Sequence, residues 1–324
     1  MIEAAKVPGR GCRLPVIVKA PYAGASWKEI FVDGSQRIDD SLCDAGGVLF
    51  RGFTLENANA LHDLVTAFGA PLLSYDFAST PRSHVGNQIY TSTEYPASQS
   101  IPLHNEQSYT RDWPMRIWFH CVTPAQSGGD TPIADSRAIY REIPAKVRDR
   151  FIDKQLMYVR NYGNGLDLPW QAVFNTDRKD DVETYCRAHQ IAWDWKPDGS
   201  LRTRQTAQAV AEHPLTGDPL WFNQAHLFHV SSLQPSVRQA LLDAVDESDI
   251  PRNVYHADGT SIDEGDLDAI RSVIARHTIS FAWQRDDVLM LDNMLTAHGR
   301  TPFKGNRKVL VAMACPYSEH TRAQ

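Results

Sequence analysis

The sequence predicts a mainly β protein: a sandwich or barrel that carries a large helical and irregular insertion. Two observations lead there. Apolar, β-rich runs gather toward the two ends of the chain, at 46–53 and 116–122 and again at 288–291 and 308–314. Between them, over about 135–275, helical spacing and irregular composition prevail, with no regular strand–helix alternation of the kind that builds a parallel sheet.

Taken in order, residues 46–53 (GGVLFRGF) read as a short buried strand between glycines. Residues 55–68 follow with Leu61, Leu64, Val65 and Phe68 at helical spacing, and Gly69 as a stop. Between 88 and 109, short alternating runs are broken by Pro96 and Pro102. Residues 116–122 (RIWFHCV) form an aromatic strand that leads to a turn at Ser127, Gly128 and Gly129. Asp135 is placed as the N-cap of a helix reaching Lys154. The stretch 161–230 is dense in Trp, Pro, Gly and Asn and shows no clean period. Pro235 suits the first turn of a helix over 235–245, where its missing N–H costs little. Strand character returns at 278–283, 288–291 and 308–314.

Composition narrows the function. The 324 residues are 42% hydrophobic and 22% charged, with 33 basic against 39 acidic side chains and a net charge of −6. Such a chain has no basic stripe for phosphates, so a nucleic-acid partner is not expected. No apolar run is long enough for a membrane span or a signal-peptide core, which predicts a soluble, cytoplasmic protein. The five cysteines (Cys12, Cys43, Cys121, Cys186 and Cys315) are dispersed, odd in number and without a CxxC pair. They read as reduced thiols rather than a disulfide framework or a thiolate zinc site. With no repeat, low-complexity tract or linker, residues 1–324 are expected to form one domain.

Among twelve histidines, neighbours must select. In PLHNEQSY, His104 and Glu106 stand two apart, and on an extended strand such residues point to one face. In DVLMLDNMLTAHGR, an apolar strand runs into a turn followed by His298. Two imidazoles and one carboxylate would form a facial triad, which leaves positions open on iron. Thr131, just after Gly128-Gly129-Asp130, offers a hydroxyl to a carboxylate, and Arg307 can grip one in bidentate fashion. Alternation puts Arg307, Val309, Val311 and Met313 on one face. Each also has a structural reading: a solvated strand, a turn histidine, a turn threonine, a surface ion pair.

With these motifs the chain resembles the iron(II)/2-oxoglutarate oxygenases of the taurine dioxygenase superfamily. The phrases LHNEQSY, GGDTPIADSR, HPLTGDPLWFNQAHLFH and LMLDNMLTAHGRTPFKGNRKVLVAMA are similar to its SyrP-like branch. Members of that branch hydroxylate amino acids, some while these are tethered to a carrier protein. The resemblance implies a double-stranded β-helix, or jelly roll, with His104, Glu106 and His298 on Fe(II). It implies that Thr131 and Arg307 hold the distal carboxylate of 2-oxoglutarate, and that O2 is the second co-substrate. It further implies an amino-acid-type substrate, with β-hydroxylation of an aspartyl unit in nonribosomal peptide or siderophore assembly as the specific form.

The chain departs from the taurine pattern in places. Taurine-type enzymes carry a second Arg four residues after the 2-oxoglutarate Arg; here that position is Val311, so sulfonate recognition by that route is not expected. Nine positions separate His298 from Arg307, a short gap for the family. The carboxylate is Glu106 where the taurine branch has Asp; related halogenases carry a small residue there, so Glu106 points to hydroxylation.

Tyr109, Arg116, Phe222, Asn223, Arg300 and Val311 are further candidates for substrate contact, with Trp221 beside them. His226 and His229 (HLFH) could pair on a helical turn as metal ligands, but packing beside the cavity is the favoured reading. Two rival functions use the same residues. A zinc-dependent hydrolase would suit the His/Glu/His set, but HExxH is absent and Thr131 and Arg307 would have no task. A non-catalytic binding protein on this scaffold is the other, since fold does not fix function.

Overall fold

Eight strands form the main sheet of the computed structural model, which describes residues 2–3, 14–31, 35–73, 83–92, 95–163 and 165–319. Their order is Ile2–Glu3, Val16–Lys19, Gly47–Arg51, Val288–Asp292, Asp112–Thr123, Lys308–Ser318, Ile89–Thr91 and His84–Gly86. Only Val16–Lys19 and Gly47–Arg51 run parallel. The central strands read as continuous apolar runs because both faces are covered. On the outer face Val48, Phe50, Trp118, Met290, Leu310 and Ala312 pack with Ile38 and Leu42 of helix Ser35–Ala45 and Leu61, Leu64 and Val65 of helix Ala58–Ala67. On the inner face, Leu49, Ile117, Phe119, Leu289, Leu291, Val309, Val311 and Met313 form a second cluster. The alternation expected for Val309, Val311 and Met313 is therefore observed. Arg307 itself precedes the strand, with a register shift between Lys308 and Val309.

A three-stranded sheet faces this inner cluster: Ile133–Asp135, Thr296–Arg300 and Ile101–His104, with Thr296–Arg300 in the middle. Ile133 belongs to the same apolar cluster, and the Phe119 ring lies 5.0 Å from that of His298. The two sheets make a jelly roll with helical insertions.

The insertion differs from expectation. It contains a four-stranded antiparallel sheet, ordered Ala192–Trp195, Leu201–Ala207, Leu156–Tyr162 and Arg252–His256. Its strands escape a hydrophobic pattern because polar residues take buried positions: Thr203 and Gln205 alternate inward with Leu201 and Ala207, and Arg160 and Asn161 are buried. The helix expected to run to Lys154 is two, Ser136–Glu142 and Ala145–Lys154. Pro144 separates them, since it holds the preceding Ile143 in an extended conformation. Asp135 caps the first, accepting from Arg137 N at 2.8 Å. Pro235 opens helix Pro235–Ala244 as expected. Helix Ala58–Ala67 starts later than expected, at the Asn57 cap. Residues 278–283 are not a strand: helix Glu264–His277 precedes them, and a single bridge, Ile279 to Ile133, is their sheet contact. Cys43, Cys121, Cys186 and Cys315 are free thiols; Cys12 lies outside the described residues. Among the described residues no helix is long and apolar enough to cross a membrane.

Candidate active site

His104 and His298 are direct cross-strand partners in the small sheet, with ring centroids 4.7 Å apart. Antiparallel register thus brings together two residues far apart in sequence. The close approach depends on Gly299, because a Cβ there would lie 2.5 Å from the Ile101 carbonyl oxygen. His104 Nδ1 donates to Pro102 O at 2.9 Å, which leaves Nε2 as the ring nitrogen that could serve a metal.

Glu106 reaches the site differently from the expected strand alternation. The strand ends at His104, and Glu106 sits in the turn beyond it. Asn293 holds that turn: its Oδ1 accepts from Glu106 N at 2.7 Å, and its Nδ2 donates to Glu106 O at 2.9 Å and Pro114 O at 2.8 Å. Asn105 closes the network by donating to Asn293 O at 2.6 Å. The turn carrying Asn293 is tied in turn by Asp292, whose Oδ1 accepts from Met294 N and Leu295 N at 2.9 Å each. The other Asp292 oxygen meets His213 Nε2 at 3.0 Å. His213 Nδ1 accepts from Leu215 N and Thr216 N, so Nε2 carries the hydrogen. One buried turn therefore positions the Glu106 segment on one side and leads into the His298 strand on the other. The donor atoms of His104, Glu106 and His298 all lie within 4.8 Å of one another.

A cleft opens beside this cluster, lined by His104, His298, Phe119, Thr131, Arg300, Arg307 and Val311 among others. Thr131 is buried and its Oγ1 accepts from Trp283 Nε1 at 3.1 Å, so its own hydroxyl hydrogen remains to be donated. Arg307 is half-buried, with Nε donating to Gly129 O at 2.8 Å and one terminal nitrogen 3.4 Å from Ser92 Oγ. Gly129, at φ +75°, lets it pass: a Cβ would lie 2.9 Å from Arg307 Cδ. Arg307 and Arg300 both approach the Phe303 ring, and the Arg300 guanidinium donates to the carbonyls of Tyr95, Pro96 and Gln99 at 3.0, 2.7 and 2.8 Å. Burial, with Arg300 nearby, pushes the Arg307 pKa down to about 10, so it remains a cation at neutral pH. Among the described residues no carboxylate forms an ion pair with Arg300 or Arg307. A two-His, one-carboxylate donor set beside two cations suits iron and a dianionic keto acid.

The family profile described as "Taurine catabolism dioxygenase TauD, TfdA family" matches residues 15–313. The chain belongs to this family. As a member it is an Fe(II)/2-oxoglutarate-dependent dioxygenase, with O2 as the other co-substrate. It is 39% identical over 300 residues to the dapdiamide synthesis protein DdaC of Enterobacter agglomerans, covering 93% of this chain and 91% of that one. A clavaminate synthase-like protein of Arabidopsis thaliana is 29% identical over 287 residues, covering 85% and 83%. In fold it is similar to PvcB of Pseudomonas aeruginosa, with a TM-score of 0.56 at 16% identity over 93% of this chain and 85% of that one.

Of the weaker candidates in this dioxygenase, Arg300 and Val311 line the cleft. The other four lie outside its lining. Tyr109 packs against Tyr158 and Phe228, Arg116 pairs with Asp39 at 2.9 Å, and Phe222 stacks edge-on to Trp113. Asn223 stiffens its own turn, donating to Ala209 O and accepting from Ala225 N. His226 and His229 are not in the metal cluster; His229 Nδ1 accepts from Ser231 N at 3.1 Å. Sequence reasoning missed Asn105, Asn293, Gly299 and Trp283. The adjacent Asp292 and Asn293, interrupting the apolar run before His298, were the available signal, because buried amides need partners.

Proposed function

We propose that this dioxygenase hydroxylates an unactivated C–H bond of an amino-acid-type substrate, free or tethered to a carrier protein. One observation carries the site assignment: three convergent metal donors adjoin a cleft whose cations have no carboxylate partner among the described residues. His104, Glu106 and His298 would hold Fe(II). Thr131 and Arg307 would hold the distal carboxylate of 2-oxoglutarate, the threonine with the hydrogen that Trp283 leaves it and the arginine with the donors not committed to Gly129.

When bound, the metal would activate O2 as the oxidant, the keto acid supplying two electrons as it is converted to succinate and carbon dioxide. The chain's residues bind, orient and exclude water. Phe119, Ile101 and Val311 give the cleft apolar walls, which strengthen the charge contacts inside it. Arg300 adds positive charge to that wall while its donors hold the loop at 95–99.

The substrate class is supported by similarity to a protein named for dapdiamide synthesis; the specific form, an aspartyl unit, rests on the resemblance to the SyrP-like branch. The test is to supply Fe(II), 2-oxoglutarate and O2 with free amino acids and with the same residues loaded on carrier protein, measuring succinate and product mass. The expected result is gain of one oxygen atom by an aminoacyl substrate, matched to succinate. Succinate matched only to a substrate of another class would contradict the proposal.

A further inference from the structure

We infer that Gln224 and His226 form a clamp that sets the position of the metal ligand His104, a positioning role that rests on the site assignment above. His104 lies at the end of an edge strand: Ile101–His104 has one neighbour in its sheet, Thr296–Arg300. An edge leaves backbone groups that need partners when buried. Side chains from the insertion fill that place. His226 Nε2 donates to Leu103 O at 2.9 Å, and Gln224 Nε2 donates to Asn105 O at 2.8 Å. These carbonyls belong to the residues on either side of His104: the first lies in the peptide that enters His104, the second in the peptide that joins Asn105 to Glu106. Further along, Gln208 Nε2 donates to Ser108 O at 3.0 Å and Thr110 O at 3.1 Å. All three donor side chains are buried.

The clamp is itself braced from three directions. Gln224 N donates to the Tyr158 hydroxyl at 2.8 Å, on a strand of the insertion sheet. Arg271, on helix Glu264–His277, donates to His226 O through two nitrogens, at 3.2 and 3.0 Å. Asn223 Nδ2 donates to Ala209 O at 2.7 Å. A grip on the peptide that enters His104 and on the one that joins Asn105 to Glu106 restricts where the His104 imidazole can sit. Outer partners of this kind typically contribute about 10- to 100-fold to metal affinity. The insertion thereby takes part in metal binding without supplying a ligand.

The test is titration of the metal-free full-length protein with Co(II), reading the dissociation constant and the visible ligand-field band, with melting temperature measured alongside. Gln224→Leu and His226→Phe remove one donor each, His226→Gln keeps an amide donor near the position of the ring's Nε2, and His104→Ala is the control. Both removals are expected to weaken Co(II) binding by about tenfold or more and to alter the band, with His226→Gln recovering part of each. Parent affinity and band in both removal variants, whatever their melting temperatures, would overturn the clamp alone. A parent protein that behaves like His104→Ala would overturn the metal site and the clamp together. Should His226→Phe not fold, Gln224→Leu decides by the same two readings.

Discussion

The two sheets of the jelly roll are held by different physics. In the eight-stranded sheet the contacts are apolar on both faces, with Phe50, Trp118, Met290 and Leu310 outside and Ile117, Leu289 and Val311 inside. Around the three-stranded sheet they are directional: Asn293 on Glu106, Asp292 on its own turn, His226 and Gln224 on the carbonyls of Leu103 and Asn105. Apolar burial is non-directional and scales with area, so it stabilises a fold without fixing any one atom. Hydrogen bonds weaken steeply with misalignment, so a network of them can fix donor atoms in place. One sheet supplies stability and the other supplies geometry.

Substitutions should separate these two contributions. The largest effect is expected from His104→Ala or His298→Ala, which should abolish hydroxylation while the melting temperature stays near that of the parent. Retained activity in either would remove that residue from the site. In the large sheet, Phe50→Ala should cost about 3–5 kcal/mol of stability, with metal affinity of the remaining folded protein unchanged, as denaturant unfolding and Co(II) titration would show. A loss of affinity at full folding would erase the contrast.

Acid should sharpen it next. Burial pushes His226 from its ordinary 6.5 down to about 4. The unfolded chain therefore binds a proton between those values that the folded form excludes, and stability falls as pH drops from about 6.5 toward 4. At about 1.4 kcal/mol per pH unit, the loss from this group is on the order of 3 kcal/mol. Urea unfolding of metal-free parent and His226→Asn at pH 7 and 4.5 should show a smaller acid loss in a variant without the imidazole; equal losses would contradict this. Arg307→Met should weaken 2-oxoglutarate binding about 10- to 100-fold, the worth of a charged hydrogen bond, with little change in folding. Trp283→Phe, which removes the N–H to Thr131, should cost about 1 kcal/mol of the same binding, read as a few-fold rise in the 2-oxoglutarate KM.

The same division explains what could be read from sequence. Strands 288–291 and 308–314 were legible because packing on both faces leaves an unbroken apolar run. His104, Glu106 and His298 were legible because metal chemistry restricts residue type. The convergence of Glu106 came out for a reason other than strand alternation, since an amide from a distant turn places it. The insertion sheet was hidden because Thr203, Gln205 and Arg160 occupy its buried positions, which erases the period of two. Gln224 was hidden, and His226 was legible only as a packing residue beside the cavity, because a donor to a backbone carbonyl leaves no trace in the sequence of the strand it serves.

The central claim is that His104, Glu106 and His298 form an iron site to which 2-oxoglutarate is recruited by the adjoining cleft. The most direct measurement is an anaerobic titration of metal-free protein with Fe(II) and 2-oxoglutarate, watching for the visible metal-to-ligand charge-transfer band. The band should develop in the parent, be absent in His104→Ala, and require more 2-oxoglutarate in Arg307→Met. A folded parent that binds both components and shows no band, or a His104→Ala protein that shows the parent's band, would contradict the account.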